Sequence, residues 1–247
     1  MSVPIVIIPA RLASRRLPRK ALAEIGGKPM VVRVWERACA AAVGPVAVAT
    51  DSEEIAAAVR AAGGRAVMTD AAHASGSDRI AEALDLVDPA GAHDIAVNLQ
   101  GDEPLAEPEN LRAAVALMAD GAADIGTLGV TTGPAEREDP DAVKVAASQI
   151  APGRFRALYF SRAAIPWGEG PTIRHIGLYV YRRAALARFV SLPPAPLEQR
   201  ERLEQLRALE AGMRIDLALV EKASRGVDTA QDLARVREIF AADGHKA

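Results

Sequence analysis

VPIVIIPARLASRRLPRK, residues 3–20, joins two segments of opposite character. Val3 to Ile8 is an unbroken, largely β-branched apolar run. From Pro9 the chain turns into a loop carrying Arg11, Arg15, Arg16, Arg19 and Lys20. An apolar run bounded by a turn signal reads as a strand buried on both faces of a parallel sheet. Ligands of open α/β sheets bind just past the carboxyl ends of such strands. A loop there rich in Arg and Lys suits an anion, and a polyphosphate above all. A merely solvated basic turn would not need the interleaved Leu12, Leu17 and Pro18.

The rest of the chain supplies no general basic excess. Its 247 residues carry 30 Lys and Arg against 32 Asp and Glu, a net charge of −2. This balance excludes a broad nucleic-acid or membrane-surface binder, so the cluster in the first loop is local. The single cysteine, Cys39, rules out an internal disulfide and a thiolate metal site, and reads as a small packing residue of a helix. The N-terminus lacks the pattern of a signal peptide, and no apolar run reaches the ~18 residues of a membrane span. A cytoplasmic protein is the expectation.

Outward from the first loop, strands and helices alternate. Gly26-Gly27-Lys28-Pro29 is a turn, but neither a P-loop nor a GxGxxG dinucleotide fingerprint, because the required glycine spacing is missing. Predicted elements are a helix from Met30 to about Ala42, a strand Val46–Thr50, a helix capped by Asp51 or Ser52, and a short strand Ala66–Met68. A helix from Asp78, a strand Ile95–Leu99 and a helix from Pro108 follow. This rhythm predicts an α/β fold with a doubly wound parallel sheet. From Ile125 the pattern becomes strand-rich, with strands predicted at 125–130, 143–147, 155–160 and 175–181. Residues 197–211 read as one clear helix, and a strand Ile215–Val220 and a helix from Thr229 close the chain. One domain is expected, with a nucleotide-binding half over about residues 1–120 and a second half over about residues 121–247.

Several polar residues fall where chemistry is done. Asp102 follows a buried strand and a flexible Gly101, facing the basic loop, where a hard divalent cation would bridge to phosphate oxygens. Asp228, again between a strand and a helix, is a second such carboxylate, or an ordinary helix start. Ser75-Gly76-Ser77 could bond a base or ribose, or simply cap a helix. Arg162 at a strand end could grip a substrate carboxylate in two-point fashion, or make a structural ion pair. His175 has no Cys/His cluster or Ser-His-Asp pattern around it.

Together these segments resemble one family, the 3-deoxy-manno-octulosonate cytidylyltransferases, or CMP-Kdo synthetases. The resemblance is carried by IIPARLASRRLPRK (7–20), GGKPM (26–30), VATD (48–51), HASGSDR (73–79), NLQGDEP (98–104) and DPDAVKV (139–145). It continues through ALYFSRAAIPW (157–167), RHIGLYVYR (174–182), PLEQRERLEQLRAL (196–209) and GVDTAQDL (226–233). The first motif marks the wider cytidylyltransferase group. ALYFSRAAIPW and RHIGLYVYR are more specific. The resemblance implies a Rossmann-like nucleotidyltransferase fold, a mainly parallel sheet flanked by helices, with a strand-rich dimerisation insert. It further implies transfer of CMP from CTP to the anomeric hydroxyl of the acidic sugar Kdo, with Mg2+, a homodimer and a place in lipopolysaccharide biosynthesis.

Carried over by resemblance, Arg11, Arg16 and Lys20 hold the CTP phosphates, with Arg16, Lys20 and Asp102 central to catalysis. Ser75 and Gly76 recognise the cytidine, and Gln100 lies near nucleotide and sugar. Asp102 and Asp228 bind Mg2+. Arg162, His175, Tyr179, Glu204 and Gln205 line the sugar pocket. Such a transfer relies on positioning and charge neutralisation and needs no nucleophile motif, and none is found. The chain departs from the family where Arg15 and Arg19 replace an expected Thr and Gly, where Val180 replaces a Gly, and in a short Trp167–Arg174 segment. The added arginines are expected to tune triphosphate affinity. Rival readings are an enzyme for 8-amino-Kdo or a sialic acid, and an inactive nucleotide-binding regulator.

Overall fold

The N-terminal apolar run forms strand β1 (Ile5–Ala10), in which Val6, Ile7 and Ile8 are wholly buried. A strand enclosed on both faces requires cover on both sides, which β–α alternation supplies. The computed structural model describes residues 3–14, 16–223 and 226–242, so Arg15 lies outside the described residues. The chain forms two compact units, Ser2–Glu109 with Ser224–Ala247, and Asn110–Ala223.

In the first unit, β1 is followed by a small hairpin, β2 (Glu24–Ile25) and β3 (Lys28–Pro29), then α1 (Met30–Ala41), β4 (Val46–Thr50) and α2 (Glu53–Ala61). Strand β5 (Arg65–Met68), α3 (Gly76–Val87) and β6 (Ile95–Asn98) complete the alternation. The strands pair in parallel in the order β5-β4-β1-β6. Because β1 has β4 on one side and β6 on the other, the order in which strands are added to the sheet reverses beside it, and the crevice lies at its carboxyl end. Ser52 caps α2 and Ser75 caps α3 through a reciprocal capping box with Asp78. A terminal helix, Ala230–Ala242, returns to this unit, burying Leu233, Val236 and Phe240, with the Arg33 guanidinium 5.1 Å from the Phe240 ring centre.

The second unit holds α4 (Pro108–Ala116), β7 (Ile125–Thr132), α5 (Pro134–Glu138), β8 (Lys144–Ala151), β9 (Arg154–Ser161) and β10 (Thr172–Arg182). Helices α6 (Arg183–Ser191), α7 (Pro196–Glu201) and α8 (Gln205–Glu210) precede β11 (Ile215–Leu219). Its strands run β10-β7-β11-β9-β8, with β7 and β11 parallel and the other pairs antiparallel. Strand β8 also meets β10, at Ile173↔Val145 and Arg174↔Lys144, so the five strands form a closed circuit. The strand-rich half expected from the sequence is thus a ring of strands that protects its own edges.

Three expectations change. Cys39 is exposed, because it falls just outside the buried Met30/Val34/Ala38 stripe of α1. The helix expected over 197–211 is two short helices, broken at Arg202 with φ 56° and ψ 45°. Leucine spacing suggested one stripe, but Glu201 turns onto β9, accepting from Ser161 Oγ at 2.8 Å and Arg162 N at 3.0 Å, and tertiary contacts override propensity. Helix α6, not expected, buries Ala185, Leu186 and Phe189. Val180 lies opposite Gly126, where a Cβ would stand 3.0 Å from Met118 and 3.2 Å from Leu117, and nothing in the structure explains a valine at 180 where a glycine is expected.

A wholly buried carboxylate, Asp216 on β11, accepts from Arg154 at 2.5 and 2.9 Å and from Arg214 at 2.8 and 3.1 Å. Removing one partner of a buried pair leaves uncompensated charge. Asp216→Ala is expected to destabilise the protein by about 3–5 kcal/mol, read from urea unfolding midpoints.

Candidate active site

The carboxyl ends of β1 and β6 run side by side and nearly touch. A Cβ placed on Gly101 would lie 2.6 Å from the Pro9 carbonyl oxygen, so only glycine allows this approach. The approach sets Asp102 against the basic loop. Lys20, on a single 3-10 turn at the end of that loop, donates from Nζ to Asp102 Oδ2 at 2.6 Å and to Asp228 Oδ1 at 3.2 Å. Arg16 reaches the same Asp228 oxygen at 2.8 Å.

Asp228 arrives from the far end of the chain by local bonding. Val227 N donates to the Asp102 carbonyl at 2.8 Å, tying the Gly226–Asp228 segment to the turn after β6. Asp232 accepts from the Asp228 and Thr229 backbones at 3.2 and 2.9 Å, which opens the terminal helix and holds Asp228 outside it. The helix start is made by Thr229, whose hydroxyl accepts the Asp232 N–H at 3.1 Å, and Asp228 stands outside it beside Arg16 and Lys20.

These residues line a cavity of about 880 Å³ together with Arg11, Ser75, Gly76 and Gln100. Every nucleotide and metal candidate read from the sequence is in this one cavity. Gln100 donates to Asn98 Oδ1 at 3.0 Å, and a Cβ on Gly76 would stand 3.9 Å from Gln100 Oε1. Ser75 Oγ is engaged with Asp78, accepting from its N–H at 3.1 Å and donating to its carboxylate at 2.9 Å. The capping reading of Ser75 thus holds, and its wall is shaped by the capping box.

Arg19 is outside the cavity. It adopts the left-handed conformation at φ 56°, where glycine is easier, and its side chain pairs with Glu54 at 2.7 Å on the surface. The expectation that Arg19 tunes the anion site is corrected: the local backbone points it away. His73 and Arg79 of the HASGSDR stretch do line the cavity and were not singled out from the sequence. Arg79, buried, is held by Thr69 at 2.6 Å and Asp51 at 2.9 Å. The signal available for both was their spacing of two and four residues around Ser75.

The second unit gathers the other candidates. His175 Nε2 is 2.8 Å from Thr127 Oγ1, and that hydroxyl also approaches the Leu178 carbonyl at 2.9 Å. One hydroxyl proton serves one acceptor. With the Thr127 proton on Leu178, the imidazole donates from Nε2 and its Nδ1 is an acceptor. The bulge between Ile176 and Tyr179 makes this bonding possible. The His175 ring packs 5.0 Å from Phe160 and 5.4 Å from Tyr179. Burial, reinforced by the adjacent Arg174 charge, pushes the imidazole down to about 3. Burial, with Tyr181 and Glu204 nearby, raises the Tyr179 phenol. Glu204 Oε1 stands 4.0 Å from Arg207 Nη2, and Gln205 is buried at the start of α8. Arg162 donates to the carbonyls of Glu201 at 3.2 Å and Pro140 at 3.1 Å, a structural use that differs from a two-point grip on a carboxylate. Lys144, absent from the sequence reading, is fully buried and donates to the Asp139 and Arg162 carbonyls.

Comparison with known proteins bears on this arrangement. The sequence profile described as Cytidylyltransferase matches residues 5–215. A 3-deoxy-manno-octulosonate cytidylyltransferase of Azorhizobium caulinodans is 61% identical over 240 residues, covering 97% of this chain and 96% of the relative. One from Methylobacterium sp. (strain 4-46) is 58% identical over 243 residues, covering 98% of both. A solved structure of CMP:2-keto-3-deoxy-manno-octonic acid synthetase complexed with CTP superposes with a TM-score of 0.91 at 40% identity, covering 98% of this chain and 100% of that one.

The depressed His175 predicts an acid-sensitive fold. Between the ordinary imidazole value of about 6.5 and the folded value, the unfolded chain binds a proton that the folded chain refuses. Stability is full above this window and falls as pH drops through it, by at most about 1.4 kcal/mol per pH unit. In urea unfolding at pH 7 and pH 5, His175→Gln is expected to lose less stability than the parent chain, the difference approaching about 2 kcal/mol.

Proposed function

The chain belongs to the 3-deoxy-manno-octulosonate cytidylyltransferase family, and from that premise we propose how its residues divide the work. It is a nucleotidyltransferase that transfers CMP from CTP to 3-deoxy-D-manno-octulosonate (Kdo), giving CMP-Kdo and pyrophosphate. The anomeric hydroxyl of the sugar attacks the α-phosphorus of CTP, and pyrophosphate leaves from the opposite side. No covalent enzyme intermediate is required, so the residues bind, orient and neutralise.

Arg11, Arg16 and Lys20 hold the triphosphate, and Ser75, Gly76 and Gln100 hold the nucleoside. The observation that carries this reading is Lys20 Nζ lying 2.6 and 3.2 Å from Asp102 and Asp228 at the mouth between β1 and β6. Two carboxylates that converge on one cation are a hard oxygen set suited to Mg2+, which takes one or two carboxylates and completes its shell with substrate phosphates. Asp102 and Asp228 would hold the ion, and bound Mg2+ would lower the negative charge facing the attacking oxygen.

Arg162, His175, Tyr179, Glu204 and Gln205 are assigned to the sugar. The neutral His175, with Nε2 on Thr127, offers Nδ1 to a sugar hydroxyl without adding charge. Arg162 must release a carbonyl to grip the sugar carboxylate, or leave that role to another cation. The same reading assigns a homodimer, supported by Ile150 and Leu158, 44% and 58% exposed on the β8–β9 hairpin. It further assigns a cytoplasmic place and a product destined for lipopolysaccharide. No helix among the described residues is long and apolar enough to cross a membrane.

Pyrophosphate release with CTP and Mg2+, with Kdo, 8-amino-Kdo and a sialic acid supplied in parallel, tests the substrate. Kdo is expected to be turned over best, and Asp102→Asn to reduce turnover by on the order of a hundredfold or more. Turnover confined to another sugar would move the substrate, and tight CTP binding with no turnover would make the chain a regulator.

Lys20 supplies a second prediction. Without nucleotide it pairs with both carboxylates, so metal and triphosphate are expected to bind together: the ion takes the carboxylates and the phosphates take Lys20 and Arg16. Mn2+ titrated by electron spin resonance should bind more tightly with CTP present. Lys20→Met should tighten Mn2+ binding in the absence of CTP and weaken this coupling, as expected for removal of a competing cation.

A further inference from the structure

His73 is the one cavity residue whose ring nitrogen is fixed by a carboxylate outside the triphosphate machinery. Its Nε2 lies 2.5 Å from Glu82 Oε2, on the next-but-one turn of α3, and its side chain keeps 21% exposure. The same Glu82 oxygen accepts the Asp70 N–H at 2.9 Å, so one carboxylate pins the loop between β5 and α3 and orients the ring. A carboxylate acceptor holds the proton on Nε2, and in the neutral imidazole the other nitrogen, Nδ1, is then an acceptor.

The wall to which His73 belongs carries no net positive charge. Arg79 is matched by Asp51, His73 by Glu82, and the Ser75 hydroxyl by Asp78. The opposite contribution, from residues 11–20, carries the positive charge. A triphosphate belongs with the positive charge, and a nucleobase with the wall that lacks it. Cytosine and uracil differ there in one group: cytosine presents a donating 4-amino group and uracil an accepting 4-oxo group.

We propose that His73, oriented by Glu82, determines nucleobase specificity by accepting a hydrogen bond from the 4-amino group of cytosine and opposing the 4-oxo group of uracil. The inference rests on the reading that this cavity takes CTP. His73 is the binding residue and Glu82 a positioning residue.

The test compares CTP with UTP in the full-length protein, by calorimetric binding with Mg2+ and by kcat/KM for pyrophosphate release with Kdo. The unaltered chain is expected to favour CTP. His73→Leu should lower the CTP-to-UTP ratio on the order of tenfold or more, the scale for a site built around one polar group. Glu82→Gln should lower it in the same sense but by less, because the ring keeps a neutral partner. A ratio unchanged in both variants, or CTP and UTP weakened equally, overturns the proposal, since a structural role for the pair would not discriminate between bases. If His73→Leu does not fold, the ratio in Glu82→Gln decides. An unaltered chain that binds neither nucleotide overturns the parent reading itself, whereas one that binds both equally overturns only the role of His73.

Discussion

Strand β1 lies between β4 and β6 with its side chains buried on both faces, and the first unit is arranged around that enclosure. Register fixes it on each side, Ile7 facing Ala47 of β4 and Asn98 of β6. Parallel pairing sends β1 and β6 out at the same end, so their loops must share space. The contact between Pro9 and Gly101 is the tightest point of that sharing. A larger residue at 101 would separate the loops and pull Asp102 from Lys20. The basic loop and the acidic turn are thus coupled through backbone packing before any side chain meets.

Charge in this protein follows two patterns. In the second unit, Asp216 is wholly buried and matched by two arginines, and Lys144 is wholly buried and bonded to carbonyls. Such groups are satisfied and closed, and they hold strands in register. At the cavity the pairing is partly open: Lys20 is 18% and Asp102 29% exposed, and Asp228 is 45% exposed while sharing one oxygen between two cations. Open pairs can exchange partners with an arriving ion and its phosphates, whereas closed ones cannot without a large desolvation penalty. The distinction separates residues that hold the fold from those proposed to serve the reaction.

Much of the fold was legible because local chemistry was consistent. The apolar run of β1, the serine caps of α2 and α3, and the alternation of strand and helix each act over a few residues. The nucleotide candidates were legible for the same reason, since they sit at strand ends that the alternation locates. On the sugar side local pattern marked only Arg162 and His175, and the family resemblance supplied Tyr179, Glu204 and Gln205. Less legible were the break at Arg202 and the exposure of Cys39, where tertiary contacts or one position of helical phase decided against a plausible local reading.

What the sequence by itself determined was the order of elements, the parallel character of the first sheet and the identity of the charged loop. Hydrophobic period and turn chemistry are local and survive without knowledge of partners. Only the tertiary structure decided where each cation points. Arg19 and Glu54 are 35 positions apart, Arg162 and Glu201 are 39, and Lys20 and Asp228 are 208. Nothing in local sequence distinguishes Arg19 from Lys20, one residue away. A left-handed turn sends the first to the surface, while the pairing of β1 with β6 brings Asp102, and the Val227–Asp102 backbone bond brings Asp228, to the second.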